Sequence, residues 1–257
     1  MKRIIFDKFP GGKTSIVTMS FDDGGDGDIR LVKLFDKYGI KGTFHLISSH
    51  KNIPAHEYNG HEISAHQVNH AYTNLIPPSE QYEEWFQCRK DLEKYAGYIV
   101  RGASYPYGLY NDEIVNIAKS AGIVYSRTTK ATKGFEIPDD FMMWHPTCHF
   151  KDALDLVDGF IQRANTWGRC LFYIWGHNFE LRTEEDWQKM ELLCQQISNN
   201  EHIWYATNIE IYDYIMAQKS LQISADKTMC YNPTNTDVWI TVDDETVKIP
   251  KGETVNI

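Results

Sequence analysis

Two kinds of apolar pattern alternate along this chain. Short, nearly continuous runs, Ile16-Val17-Thr18-Met19, Gly42 to Ile47, Ile123-Val124-Tyr125, Cys170 to Trp175 and His202 to Tyr205, read as strands buried on both faces. Between them the apolar residues fall at helical spacing. Ile29, Leu31-Val32, Leu34-Phe35 and Tyr38 predict a helix ended by Gly39. Further helices are expected from Ser79 to Tyr95, stopped at Gly97, from Asn111 to Ala121, stopped at Gly122, and over Ala153 to Ala164, Glu184 to Ile197 and Ile209 to Met216. Such alternation predicts an α/β fold with a parallel sheet, and the number of units favours closing it into a barrel. In barrels of this kind the chemistry sits at the C-terminal ends of the strands.

Beyond Ser220 the period changes to two. Asp237 to Val242 and Thr246 to Pro250 read as a hairpin, with Thr254 to Ile257 as a further strand. The expected organisation is a barrel over residues 1–219 and a small β appendage over 220–257, covering one end of the barrel, meeting a sugar, or joining two copies as a homo-oligomer.

The stretch Ser20-Phe21-Asp22-Asp23-Gly24 closes the first strand-like run with two adjacent carboxylates. Their repulsion has to be offset by a cation or a shared proton. By itself Asp-Asp-Gly is ordinary turn chemistry. The second motif, Gly60-His61-Glu62-Ile63-Ser64-Ala65-His66-Gln67-Val68-Asn69-His70, places two imidazoles four apart, at His66 and His70, where one helical turn would let them converge on an ion. His61 is set aside as structural, because an extended segment at ~3.3 Å per residue starts its side chain roughly 16 Å from that of His66. The proposed ligand set is therefore Asp23, His66 and His70, an oxygen and nitrogen site suited to Zn2+ or a similar divalent ion such as Co2+, Ni2+ or Mn2+.

With Tyr105-Pro106-Tyr107-Gly108 and Ile174-Trp175-Gly176-His177, these motifs resemble, in order, those of the NodB-homology polysaccharide deacetylases, carbohydrate esterase family four. The resemblance spans residues 20–177. It implies a distorted (β/α) barrel in which Asp23, His66 and His70 hold the metal and Asp22 takes the proton of the attacking water. It further implies that the backbone N–H of Tyr107 meets the oxyanion and that His177 protonates the leaving amine. Tyr105, Pro106, Trp144 and Trp175 are the residues then expected to line the substrate site.

The chain departs from the family pattern twice. Where the third motif usually carries an arginine that holds the base, this sequence has Ser104-Tyr105-Pro106-Tyr107; Arg127, at the next strand end, is the expected substitute, with Arg101 the weaker candidate. Where an acid usually precedes the fourth-motif tryptophan, Met143 precedes Trp144, so the acid that would orient His177 is missing. His145 and His149, with Cys148, repeat the four-residue spacing as a lesser second metal candidate, although Pro146 disfavours a helix there.

A net charge of −9 speaks against a nucleic-acid partner. The start, Met1 to Asp7, reads as neither a leader nor a membrane anchor, and five scattered cysteines read as reduced thiols. A cytoplasmic protein acting on a soluble acetylated oligosaccharide is expected. The leading function is metal-dependent removal of N-acetyl, or O-acetyl, groups from a carbohydrate. Two alternatives stay open: hydrolysis of a small cyclic amide, as in allantoinase-like relatives of the fold, and a non-catalytic carbohydrate-binding protein on the same scaffold.

Overall fold

The computed structural model describes residues 2–166 and 168–257. In chain order the barrel strands are β2 (Ser15–Asp23), β3 (Gly42–Leu46), β4 (Glu62–Ala65), β5 (Gly102–Ser104), β6 (Tyr125–Arg127), β7 (Cys148–His149), β8 (Cys170–His177) and β9 (Ile203–Tyr205), after a short β1 at Ile4–Ile5. The helices are α1 (Gly27–Tyr38), α2 (Pro78–Ala96), α3 (Asp112–Ser120), α4 (Phe150–Thr166), α5 (Glu184–Ile197) and α6 (Asn208–Lys219). Each predicted helix is present. Gly39 and Gly97 end α1 and α2 in the left-handed conformation, and Asn111 caps α3 by accepting from the Ile114 N–H.

The sheet is parallel and curled, in the order β6-β5-β4-β3-β2-β8-β7, with β9 beside the N-terminal half of β2. Its two ends approach each other through the segment leading into β7: Trp144 bridges in parallel to Arg127 of β6, while Cys148 pairs with Ile174 of β8. The result is a distorted (β/α) barrel, as expected. Alternate β2 side chains divide between two layers. Val17, Met19 and Phe21 pack outward with α1, α4 and α5, whereas Ile16 joins Leu171, Tyr173 and Trp144 inside.

Beside these apolar groups the barrel holds buried polar side chains, Thr18, Thr43, His45 and Glu62 among them. Glu62 is buried and accepts from the Tyr125 hydroxyl at 2.6 Å, the Thr43 hydroxyl at 3.0 Å and the Ile209 N–H at 2.9 Å. Burial pushes its carboxyl up to about 7 against the pull of these donors.

The C-terminal residues form β10 (Gln222–Ile223), β11 (Met229–Tyr231), β12 (Val238–Val242), β13 (Glu245–Ile249) and β14 (Thr254–Asn256). The hairpin is β12–β13, turning at Asp243 and Asp244, both at positive φ. The other neighbour of β12 is β1, and the further strand, β14, pairs with β11. Val238, Ile240, Val242, Ile249 and Cys230 pack with Ile16, Leu171 and α6 residues at the strand starts, away from Asp22 and His177 at the strand ends. Among the described residues no helix is long and apolar enough to cross a membrane.

Candidate active site and metal centre

β2 ends in Asp22 and Asp23, and the backbone turns immediately. Asp23 has φ 73°, followed by Gly24 at 79° and Gly25 at 121°. The left-handed Asp23 swings its carboxylate away from the inward row that ends in Asp22, so the two acids reach the rim by different routes. Asp22 is 2% exposed and Asp23 about one-quarter.

His66 follows β4, and His70 returns to it through a loop. Gln67 and His70 have φ 64° and 52°, so the expected helical turn is absent; left-handed residues make the reversal instead. Glu84 of α2 fixes this loop by accepting from the Val68 and Asn69 N–H groups, both at 2.9 Å, and from the Asn69 side chain at 2.7 Å. The rings of His66 and His70 end 4.7 Å apart. Glu84 escaped the sequence reading, because only an α2 packed against β4 brings it there.

Asp23 Oδ1 lies 3.4 Å from His66 Nε2 and 3.7 Å from His70 Nε2. Two atoms each about 2.1 Å from one tetrahedral ion stand roughly 3.4 Å apart, so this spacing is that of ligands rather than hydrogen-bond partners. Asp23 Oδ1 is buried and has no hydrogen-bond partner, as an oxygen reserved for a cation would. The Nδ1 edge of His66 faces the Ser104 carbonyl at 2.9 Å, which assigns the proton to Nδ1 and leaves the Nε2 lone pair toward Asp23. Burial lowers the His66 pKa despite Asp22 and Asp23, favouring the neutral imidazole a metal requires. The residues present therefore fit a divalent ion.

Arg127 is fully buried and its Nη2 pairs with Asp22 Oδ2. Its guanidinium lies 4.1 Å over the ring of Trp175, and Nη1 donates to the Thr128 carbonyl at 3.0 Å. Ser104 adds a hydroxyl to Asp22 Oδ1 at 3.2 Å. Burial works to raise the Asp22 pKa, but Arg127 first and then His66, His45 and His177 outweigh it and hold the carboxyl well below its ordinary range. Arg101 faces elsewhere, forming a two-pronged pair with Asp213 of α6 at 3.0 and 2.5 Å.

His177 ends β8 beside Asp22 in the strand register. Gly176 before it faces the Phe150 ring so closely that a Cβ would overlap it. The Nδ1 of His177 is 3.0 Å from Glu180 Oε2, an acid three residues downstream. The same oxygen lies 2.7 Å from His149 Nε2, and Lys151 donates to Glu180 Oε1 at 2.6 Å. His149 thus joins His177, while His145 turns to the Thr128 hydroxyl at 2.7 Å, so the His145, Cys148 and His149 cluster does not form. The spacing His177-x-x-Glu180 was visible in the sequence, but nothing local indicated that Glu180 folds back onto the ring.

Tyr107 follows β5 at φ 57°, exposed, its ring 3.9 Å from Tyr72 in a parallel stack and 4.3 Å from His70. Tyr105 and Trp144 were expected at the substrate site, but both are buried. Tyr105 donates to the Met142 carbonyl, and Trp144 packs between Tyr125, Phe141 and Tyr173 inside the barrel. Pro106 is also covered, and Trp175 lies beneath Arg127. Direct sugar contact by Tyr105 and Trp144 is therefore corrected to a packing role.

The structure thus gathers a carboxylate, Asp23, and two imidazoles, His66 and His70, at one strand-end rim of a parallel barrel. Residues 10–126 match the family model described as polysaccharide deacetylase, and the resemblance drawn from the motifs holds. The Bacillus subtilis (strain 168) protein named "Putative polysaccharide deacetylase YxkH" is 28% identical over 134 residues, 48% of this chain and 47% of that protein, so the match spans about half of it. A structure of a "putative polysaccharide deacetylase" from Mycobacterium smegmatis superposes with TM-score 0.63 at 16% identity, covering 82% of this chain and 93% of that one. Puue allantoinase superposes at 0.64 with 12% identity, covering 80% and 91%. At such identities the two superpositions speak for the fold.

Proposed function

We propose that this protein is a metal-dependent hydrolase removing acetyl groups, N-acetyl in the first place, from a carbohydrate or oligosaccharide. The observation that carries this reading is the meeting of an ion-spaced Asp23, His66 and His70 group with a second, separately held acid, Asp22. A binding protein needs neither a paired base nor an imidazole beside it. When bound by Asp23, His66 and His70, a divalent ion, Zn2+ by donor set, supplies polarisation of the acetyl carbonyl and acidification of the attacking water.

The chain's own groups supply the rest. Asp22, ionised and held by Arg127 and Ser104, accepts the proton of the attacking water. The Tyr107 backbone N–H is the donor assigned to the developing oxyanion. His177 delivers a proton from Nε2 to the leaving nitrogen, without which an amide anion would have to depart. The exposed Tyr72 and Tyr107 stack beside His70 offers an aromatic face of the kind sugar rings pack on.

The likeness to an allantoinase concerns the fold, so a cyclic amide remains the second substrate class. With the full chain, after loading with Zn2+ and separately with Co2+, Ni2+ or Mn2+, acetate release is measured on N- and O-acetylated saccharides and ring opening on cyclic amides. Turnover of the saccharides that vanishes in Asp22→Asn and on chelation is expected. Turnover of the cyclic amides alone, or none with metal bound, sinks the reading.

A further inference from the structure

The acid missing from the fourth motif leaves a question that the fold answers elsewhere. Among the described residues, Glu180 is the acid on the Nδ1 side of His177, at 3.0 Å, and it also accepts from the His177 backbone N–H at 3.3 Å. It arrives there because the chain makes a single short helical turn, Asn178–Glu180, directly after β8. Glu180 is itself held on both oxygens, by His149 Nε2 at 2.7 Å and by Lys151 Nζ at 2.6 Å. His149 in turn is wedged edge-on against Trp175, with ring centroids 5.1 Å apart.

Two chemistries fit an acid between two imidazoles: a second cation site, or a hydrogen-bonded clamp. The distances separate them. At 2.7 and 3.0 Å the nitrogens sit at hydrogen-bond range of one oxygen, whereas the spacing in the Asp23 group is 3.4 and 3.7 Å. His149 Nδ1 faces the Lys151 backbone N–H at 3.4 Å, which puts the His149 proton on Nε2, where a metal would need a lone pair. The Lys151 ammonium already neutralises the other carboxylate oxygen.

Resting on the function proposed above, we infer that Glu180, braced by His149 and Lys151, is the positioning residue for His177, replacing the acid that the sequence lacks before Trp144. Its carboxylate takes the Nδ1–H, which fixes the ring and turns Nε2 toward the substrate. In the step it supports, the C–N bond breaks with its electron pair going to nitrogen. That nitrogen takes the Nε2 proton from imidazolium His177, leaving a neutral ring with its Nδ1–H still on Glu180. Solvent restores the proton. Burial opposes ionisation of Glu180, but Lys151, His177 and His149 bring its pKa down to about 2, so the carboxylate stays charged.

The test exploits the leaving group. An N-acetyl sugar needs its nitrogen protonated, while 4-nitrophenyl acetate expels a stable phenolate without help. Full-length, metal-loaded Glu180→Gln is expected to lose about 10²-fold in kcat/KM on the N-acetyl substrate, carried by kcat, and less than about threefold on the nitrophenyl ester. His149→Gln should show the same split more weakly, and Glu180→Asp should recover part of the loss. A parallel fall on both substrates, or no fall on the amide, overturns the assignment. So does a second equivalent of Zn2+ that His149→Gln removes. Independently of turnover, 15N NMR of the wild-type histidines should find His177 protonated at Nδ1; a bare Nδ1 overturns it as well. If no acetylated saccharide is turned over at all, it is the deacetylase reading that fails, and the tautomer then judges Glu180.

Discussion

Arg127, at the end of β6, lies with its guanidinium against Asp22, at the end of β2, and both side chains are buried. In the sheet order these strands stand four places apart, so the pair spans the barrel mouth rather than joining neighbours. Its orientation is fixed further by the Trp175 face and the Thr128 carbonyl.

Removing one partner of such a pair leaves a buried charge without compensation. Arg127→Leu is expected to lower unfolding free energy by about 3–5 kcal/mol and to reduce kcat/KM by more than about tenfold. Arg127→Lys, which keeps the charge but not the planar fork, should fall between. Urea denaturation with parallel kinetics checks this; unchanged turnover in Arg127→Leu would show that Arg127 does not hold the base. Arg101→Leu should leave turnover within about twofold, since its partner is Asp213 on the outer face.

Metal binding should depend on all three residues of the rim group. Asp23→Asn, His66→Gln and His70→Gln are each predicted to bind substantially less than one ion per chain by elemental analysis. An ion held at one hundred times its Kd should stabilise the wild-type fold by about 2.7 kcal/mol, and that gain should disappear in Asp23→Asn. Equal stabilisation in wild type and Asp23→Asn would place the ion elsewhere.

Glu62 predicts an unusual pH dependence of stability. Its ordinary carboxyl value of 4.5 is raised to about 7 in the folded chain, so between those values the folded state keeps a proton that the unfolded state has released. Its contribution is fully present below about pH 4.5 and is lost as pH rises through 7, a swing on the order of 3 kcal/mol. Glu62→Gln carries no titration and should be flatter. Urea midpoints at pH 5 and pH 8 in chelator test this, and identical slopes for the two proteins would refute it. Asp28, also raised to about 7 by burial against the opposing hydrogen bonds of Asn178 and Tyr58, acts in the same direction in both proteins.

Two aromatic substitutions should part company. Trp144→Phe, inside the barrel, is expected to cost about 1–3 kcal/mol of stability with KM nearly unchanged. Tyr72→Ala removes an exposed ring from the stack beside His70 and should raise KM several-fold with little effect on stability. Reversal of the two effects would return Trp144 to the substrate wall.

The strand and helix order was legible because periodicity is local: a run either alternates, repeats every three to four residues, or stays apolar. The Asp23, His66 and His70 grouping was legible for a related reason, since strand-end acids and closely spaced histidines are visible as motifs. The helical turn expected for His66 to His70 failed because Gln67 and His70 adopt positive φ, which Glu84 stabilises from a distant helix. Trp144 failed because its motif position says nothing about which layer its ring enters. The hairpin was recognised, while its pairing with β1 was not, since Ile4 and Ile5 lie more than two hundred residues away from Val242 and Thr241.

By itself, then, the sequence determined the alternating architecture and put Asp22, Asp23 and His177 at strand ends, because apolar periodicity and turn chemistry act over a few residues. Tertiary structure alone set the Arg127 guanidinium against Asp22, turned Glu180 back onto His177 and folded Trp144 inward. Those choices depend on sheet register and on the curvature that brings β6 opposite β2, and both arise only when distant segments share one closed surface.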